Sequence, residues 1–178
     1  MTAPAGPISL AQERLRVMLA DCTTFRALVG ATTQEQALSR LFHDALPPPA
    51  RGVEHTLDEL RSYRPFGLVS TYPQDGHTLV RDTADRNAGA EEAGRLVIEI
   101  EWDVPETIAN DPAEAGLRFN NAVGQIKQEL FALAGVHPYL AISEIGQAGY
   151  FRGPEEQQQT KGDYLVYQLF IEWGQQRR

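Results

Sequence analysis

The chain has 178 residues, 42% of them hydrophobic, a formal net charge of −8 and a single cysteine, Cys22. That length suits one good core and is short for two, and the composition is that of a globular protein. The acidic balance disfavours broad nucleic-acid binding, one cysteine excludes an internal disulfide or thiolate cluster, and no apolar run approaches the about 18 residues of a membrane span.

Residues 1–8 include Pro4, Gly6 and Pro7 and read as a mobile arm. They lack the basic start and apolar segment of a signal peptide, so folding in the cytoplasm is expected. Ser9 with Gln12 reads as a capping box, followed at helical spacing by Leu10, Leu15, Met18, Leu19 and Cys22. Thr23 or Thr24 starts a second short helix through Phe25, Leu28 and Val29, stopped at Gly30. Thr32 with Glu35 opens a third helical piece carrying Ala37, Leu38, Leu41 and Phe42. Pro47-Pro48-Pro49 must be extended, which makes 46–55 a semi-rigid connector. Thr56 and Glu59 cap a further turn up to Tyr63.

From Phe66 to Tyr72 the texture is that of a strand, and the polar stretch 73–94 reads as a long loop around Leu79 and Val80. Leu96, Ile98, Ile100, Trp102 and Val104 then alternate with Val97, Glu99, Glu101 and Asp103. This period of two predicts a strand with one buried and one wet face, ended by Pro105. Asp111-Pro112-Ala113-Glu114 supplies an N-cap, an N1 proline and a capping-box glutamate. A long helix follows, with Leu117, Phe119, Val123, Ile126, Leu130 and Leu133 as its apolar stripe, closed by Gly135 and Pro138. Fully burying those six would contribute on the order of 10 kcal/mol as an upper bound.

Leu140 and Ile142 begin a third strand, bending at Gly146 and Gly149 and continuing through Tyr150 and Phe151. Residues 153–162 form a polar loop or hairpin arm. The last strand places Leu165, Tyr167, Leu169, Ile171 and Trp173 on one face and Tyr164, Val166, Gln168, Phe170 and Glu172 on the other. With apolar groups on both faces it is expected to be central in the sheet or buried in a partner. The expected fold is α+β: a mainly antiparallel four-stranded sheet in the order β-β-α-β-β, packed by the long helix, with N-terminal helices at its side. Residues 1–55 make the N-terminal arm, helices and connector, and 56–178 the sheet domain, in one compact unit.

The search for chemistry is negative. The row Glu99, Glu101 and Asp103 has the oxygen donors that a hard cation prefers, but no further acid, histidine or lysine converges on it by spacing. A solvated or subunit-facing strand explains it better. His43, His55, His77 and His137 are scattered singly, without metal-ligand spacing. Cys22 lies at helical spacing with core residues and reads as structural. Gly146-Gln147-Ala148-Gly149 lacks the strand-to-helix setting of a dinucleotide loop, and Trp102 and Trp173 fall on apolar strand faces, where they read as packing. No nucleophile elbow or phosphate loop is present. No catalytic residue, metal ligand or cofactor is assigned, and the chain is expected not to be an enzyme.

The order of elements has a resemblance. A helical N-terminus precedes Arg64-Pro65-Phe66-Gly67-Leu68-Val69, then the strand Leu96 to Pro105, and a capped helix through Phe119-Asn120-Asn121-Ala122-Val123-Gly124. Tyr139-Leu140-Ala141-Ile142, a polar loop with Gly162-Asp163-Tyr164, and a closing Phe170-Ile171-Glu172-Trp173-Gly174 complete it. Across 60–174 this resembles the tail-terminator (tail-completion) proteins of long-tailed bacteriophages. The resemblance rests on element order and the texture of the last strand, without a diagnostic motif.

It implies a non-enzymatic virion protein, made in the host cytoplasm, that forms a ring, typically a hexamer, on the finished tail tube. Such a ring stops tube polymerisation and meets the head connector; its partners are its own copies, the tail tube protein and a head-completion or connector protein. Passage of DNA through the ring makes an acidic wall useful, and the Glu99, Glu101 and Asp103 face, or another acidic face, is the expected lining. The longer N-terminal region and the triple proline depart from the smaller members. The alternatives are another neck or connector-adaptor protein, a metal-dependent enzyme using the acidic strand, and a binding module unrelated to phage.

Overall fold

A computed structural model describes residues 7–50, 52, 54–71, 78–80, 91–108, 110–134, 140–147, 151–153 and 164–176. The arm over 1–6, His77, Gly135, His137, Pro138, Gly149, Tyr150 and the loop at 154–162 lie outside the described residues.

Three short helices open the chain: α1 (Pro7–Asp21), α2 (Thr23–Leu28) and α3 (Gln34–Leu38). Because α1 begins at Pro7, Ser9 and Gln12 are not a cap but helix interior. Gln12 is 6% exposed and donates from Nε2 to Asp44 Oδ1 at 3.0 Å and to the Val69 carbonyl at 3.4 Å. Asp44 sits at φ 55, a left-handed conformation that aspartate tolerates, and its Oδ1 also accepts from the Thr71 amide. A buried amide with two partners is expensive to remove. Gln12→Leu is therefore expected to cost about 1–2 kcal/mol, read as a lower urea midpoint with an unchanged slope.

Helix α2 ends in a Schellman arrangement: Ala31 N–H donates to the Arg26 carbonyl, Gly30 N–H to that of Ala27, and Gly30 adopts φ 68. Its first turn is anchored from far along the chain, since the Thr24 amide donates to Glu129 Oε2 at 3.2 Å. The cap of α3 is Thr33, while Thr32 bonds the Gln36 side chain.

The third helical piece is shorter than its spacing suggests. After Leu38 the chain turns and Leu41–His43 forms β1, pairing parallel with β2 (Phe66–Thr71). Leu38, Leu41 and Phe42 are three and four residues apart, so they fit a helix locally; the long-range pairing of Leu41 with Gly67 decides for strand. The expected capping box at Thr56 and Glu59 is present at the start of α4 (Leu57–Tyr63).

Next come β3 (Thr78–Val80) and β4 (Glu91–Asp103). Residues expected in a loop over 73–94 therefore include two stretches of strand. β4 starts at Glu91, five residues ahead of the apolar alternation, because β3 and β7 (Tyr164–Gln176) pair along that polar extension. Helix α5 spans Pro112–Ala134 as its caps predict, and β5 (Ala141–Gln147) and β6 (Phe151–Gly153) follow.

The strands lie in the order β1-β2-β4-β7-β5, with β3 beside β4 and β6 beside β7. β2 and β3 occupy one edge of β4 in succession, and β5 and β6 occupy one edge of β7. The sheet is thus mixed and five positions wide, not the four-stranded antiparallel sheet expected; the addition is β1, whose three residues carry no visible strand period. At its centre β4 and β7 pair over 13 residues, from Glu91 opposite Gln176 to Asp103 opposite Tyr164.

One sheet face makes the core. Leu96, Ile98, Ile100, Tyr167, Leu169 and Ile171 share a single apolar cluster with Leu15, Met18 and Phe25 of the N-terminal helices and Phe119, Val123, Ile126 and Leu130 of α5. Phe119 locks helix to sheet, stacked on Trp102 at 5.5 Å between ring centroids and edge-on to Tyr167 at 6.0 Å. Gly67 belongs to this face, where a Cβ would come within 2.7 Å of Leu41 Cδ2. The stripe of α5 differs from expectation at its two ends: Leu117 is 61% exposed and Leu133 only half-buried. Leu117 lies on the opposite side of the helix from Phe119 and Ile126.

Candidate interaction surface

Antiparallel pairing puts directly opposed residues on the same face. The second face of the sheet therefore carries Phe66, Leu68 and Ser70 of β2, opposite Glu101, Glu99 and Val97 of β4. Across β4 these meet Val166, Gln168 and Phe170 of β7, and beyond them Arg95 lies opposite Glu172 and Asp103 opposite Tyr164.

At one end this face is closed. Phe42 of β1 packs edge-on against Phe66 at 6.0 Å and Tyr63 of α4 at 5.7 Å, and Phe66 and Val166 are 1% and 3% exposed. Arg64, which follows α4, lies over it with a side chain only 3% exposed. Its Nε is 2.9 Å from Glu101 Oε2, its Nη1 is 3.5 Å from Asp103 Oδ1, and its guanidinium carbon stands 3.5 Å above the Tyr164 ring centroid. One cation thus serves two carboxylates and an aromatic face.

Burial pushes the Glu101 carboxyl above its ordinary value. The hydrogen bond and charge of Arg64 pull it down, Glu99 and Asp103 push it up again, and desolvation prevails. Glu99 accepts from Gln168 Nε2 at 2.6 Å, and Arg95 Nη2 reaches Glu172 Oε1 at 2.8 Å. The three acids of β4 are consequently engaged side chains and not a bare acidic wall or an open set of metal oxygens. Among the described residues no group of three or more His, Cys, Asp or Glu could hold a metal ion. Toward the middle of this face Leu68, Val97 and Phe170 are half-buried apolar groups between the partnered charges.

The other singled-out residues do not converge on a site. His43 Nε2 is 2.9 Å from Glu13 Oε2, where Arg16 also binds. Burial alone would raise the Glu13 carboxyl, but the hydrogen bonds from Arg16 and His43 outweigh it and hold it below its ordinary value. His55 packs edge-on to Tyr63 beside Glu59. Cys22 is 1% exposed, donates to the Met18 carbonyl, and burial pushes its thiol up to about 12, which suits packing and not nucleophilic attack. Trp102 and Trp173 are separate parts of the core side, and Gly146 runs through β5 opposite Phe170.

Sequence reading missed Arg64 and Gln168 as members of this surface. Their partners lie 37 and 69 residues away, and no local pattern marks them. Among the described residues no helix is long and apolar enough to cross a membrane. No protein-family model matches the chain, and no curated protein matches it.

Proposed function

We propose that this chain is a structural, non-enzymatic virion protein similar to phage tail terminators. In this reading its copies form a ring, a hexamer by the resemblance, on the head-proximal end of the tail tube; the ring stops tube growth and meets the head connector. The observation that carries the reading is the second sheet face. Half-buried Leu68, Val97 and Phe170 sit among carboxylates that already have partners, which suits burial against another protein and leaves little for chemistry.

The chain's net charge of −8 suits a channel that DNA slides past. Since Arg64 and Gln168 hold the acids of β4, the channel lining is assigned to another acidic face. The N-terminal helices and Pro47–Pro49 lie before the stretch that carries the resemblance. They favour, as a second reading, a neighbouring neck position such as a connector adaptor, with different partners and the same absence of catalysis. Incubating the purified protein with growing tail tubes tests the reading by electron microscopy. Tubes that stop growing and carry a ring at one end are expected, and tubes that grow on with bare ends would contradict it.

A further inference from the structure

Helix α5 presents an outward stripe that the core does not explain. Positions 117, 121, 124, 128 and 131 recur at steps of four and three, so Leu117, Asn121, Gly124, Gln128 and Phe131 line one side of the helix. Leu117 and Phe131 are 61% and 49% exposed, and a Cβ on Gly124 would meet nothing within 4 Å. No charged residue falls on this stripe, in a chain whose net charge is −8. It points away from the sheet, whereas the face with Leu68, Val97 and Phe170 points away from the helices. The molecule therefore carries two apolar surfaces on opposite sides of its two layers.

Charge decides how copies can use them. The second sheet face holds Glu99, Glu101, Asp103, Glu144 and Glu172 against Arg64 and Arg95, an acidic excess. Two such faces brought together would repel. Helix α5 is balanced, with Glu114 and Glu129 against Arg118 and Lys127. Arg118 flanks the stripe with a side chain 60% exposed, a positive group for an acidic surface. A helix laid on the uncovered face of a sheet also completes the layering that buries both faces.

We infer that copies of this chain associate head to tail, the Leu117–Gly124–Phe131 stripe of α5 in one copy seating on the Leu68–Val97–Phe170 face of the next. This assigns the contact within the ring proposed above and rests on that reading. Every copy then offers one stripe and one face, the heterologous arrangement that closes into a ring when the rotation permits. The stripe is about 20 Å long and about one helix wide, a few hundred Å² against the roughly 800 Å² per partner of a stable pair. Closure, in which each copy makes the contact twice, is what holds it.

Cysteine cross-linking tests the assignment on the full chain. Gly124→Cys adds a side chain in open space and Val97→Cys is a small change on the sheet face, while Cys22 is 1% exposed and does not compete. With a short bismaleimide, the double variant is expected to give a ladder of multimers. An equimolar mixture of the two single variants should give dimers, and either single variant alone should give neither. Adding Leu117→Glu to the double variant should lower the ladder by about tenfold or more, because a charge would be desolvated in the contact.

Dimers from Gly124→Cys alone would mean that α5 meets α5, and dimers from Val97→Cys alone that sheet meets sheet; either overturns the assignment. A ring seen on tail tubes without any cross-link overturns it while leaving the ring reading intact. Neither cross-link nor ring overturns both.

Discussion

Replacing Arg64 by alanine is expected to cost about 3–5 kcal/mol of folding stability, the penalty for removing one partner of a buried ion pair. Three separate losses combine. Glu101, its side chain 17% exposed, is left without its counter-charge, Asp103 loses a second contact, and the Tyr164 ring loses the guanidinium above it. Urea unfolding of the wild type and the variant measures the difference directly. The pH dependence separates this cause from simple loss of packing. Glu101 already has its folded pKa raised by burial, so its contribution to stability is fully present below its unfolded value and is lost as pH rises through the folded one. Without Arg64 that rise is larger. The deficit of the variant should therefore be greatest at about pH 7 and should shrink toward about pH 4. Adding Glu101→Gln should recover part of it at neutral pH. A deficit independent of pH would assign the effect to packing alone.

Phe119→Ala is the second large effect, at about 3–5 kcal/mol. Phe119 is fully buried, stacked on Trp102 and edge-on to Tyr167, so its removal opens a cavity where α5 meets the two central strands. Leu117→Ala, two residues earlier, is the internal control. Its side chain is 61% exposed, and the expected change is within about 0.5 kcal/mol. Thermal or urea denaturation of both variants checks the pair. Equal losses would mean that α5 is rotated about its axis from the orientation described.

The contrast between those two residues shows what was legible beforehand. The period of two in Leu96–Val104 and the caps around Asp111 and Pro112 located β4 and α5 because burial and capping act within a few residues. The same local reading put Leu117 in the core stripe, since spacing alone does not say which of several overlapping apolar rows faces the sheet. β1 was hidden for a related reason: Leu38, Leu41 and Phe42 satisfy helical spacing, and only pairing with residues near 67 makes a strand of them. The interaction surface was half visible. Its acids could be read from the alternation in β4, but their partners come from distant elements: Arg64 from the end of α4 and Gln168 from β7. Gln12 is the same case, a plausible capping residue that instead ties α1 to Asp44 and Val69.

The account's central claim is a closed ring of identical subunits whose contact buries the second sheet face. Light scattering of the purified protein over a wide concentration range, alone and with tail tubes, tests it most directly when each sample is also imaged. The account predicts a mass that reaches a plateau at a whole multiple of the 19.7 kDa chain, with a ring and central hole in the images. A mass that climbs without limit into filaments, or a monomer that leaves tube ends bare, would contradict it.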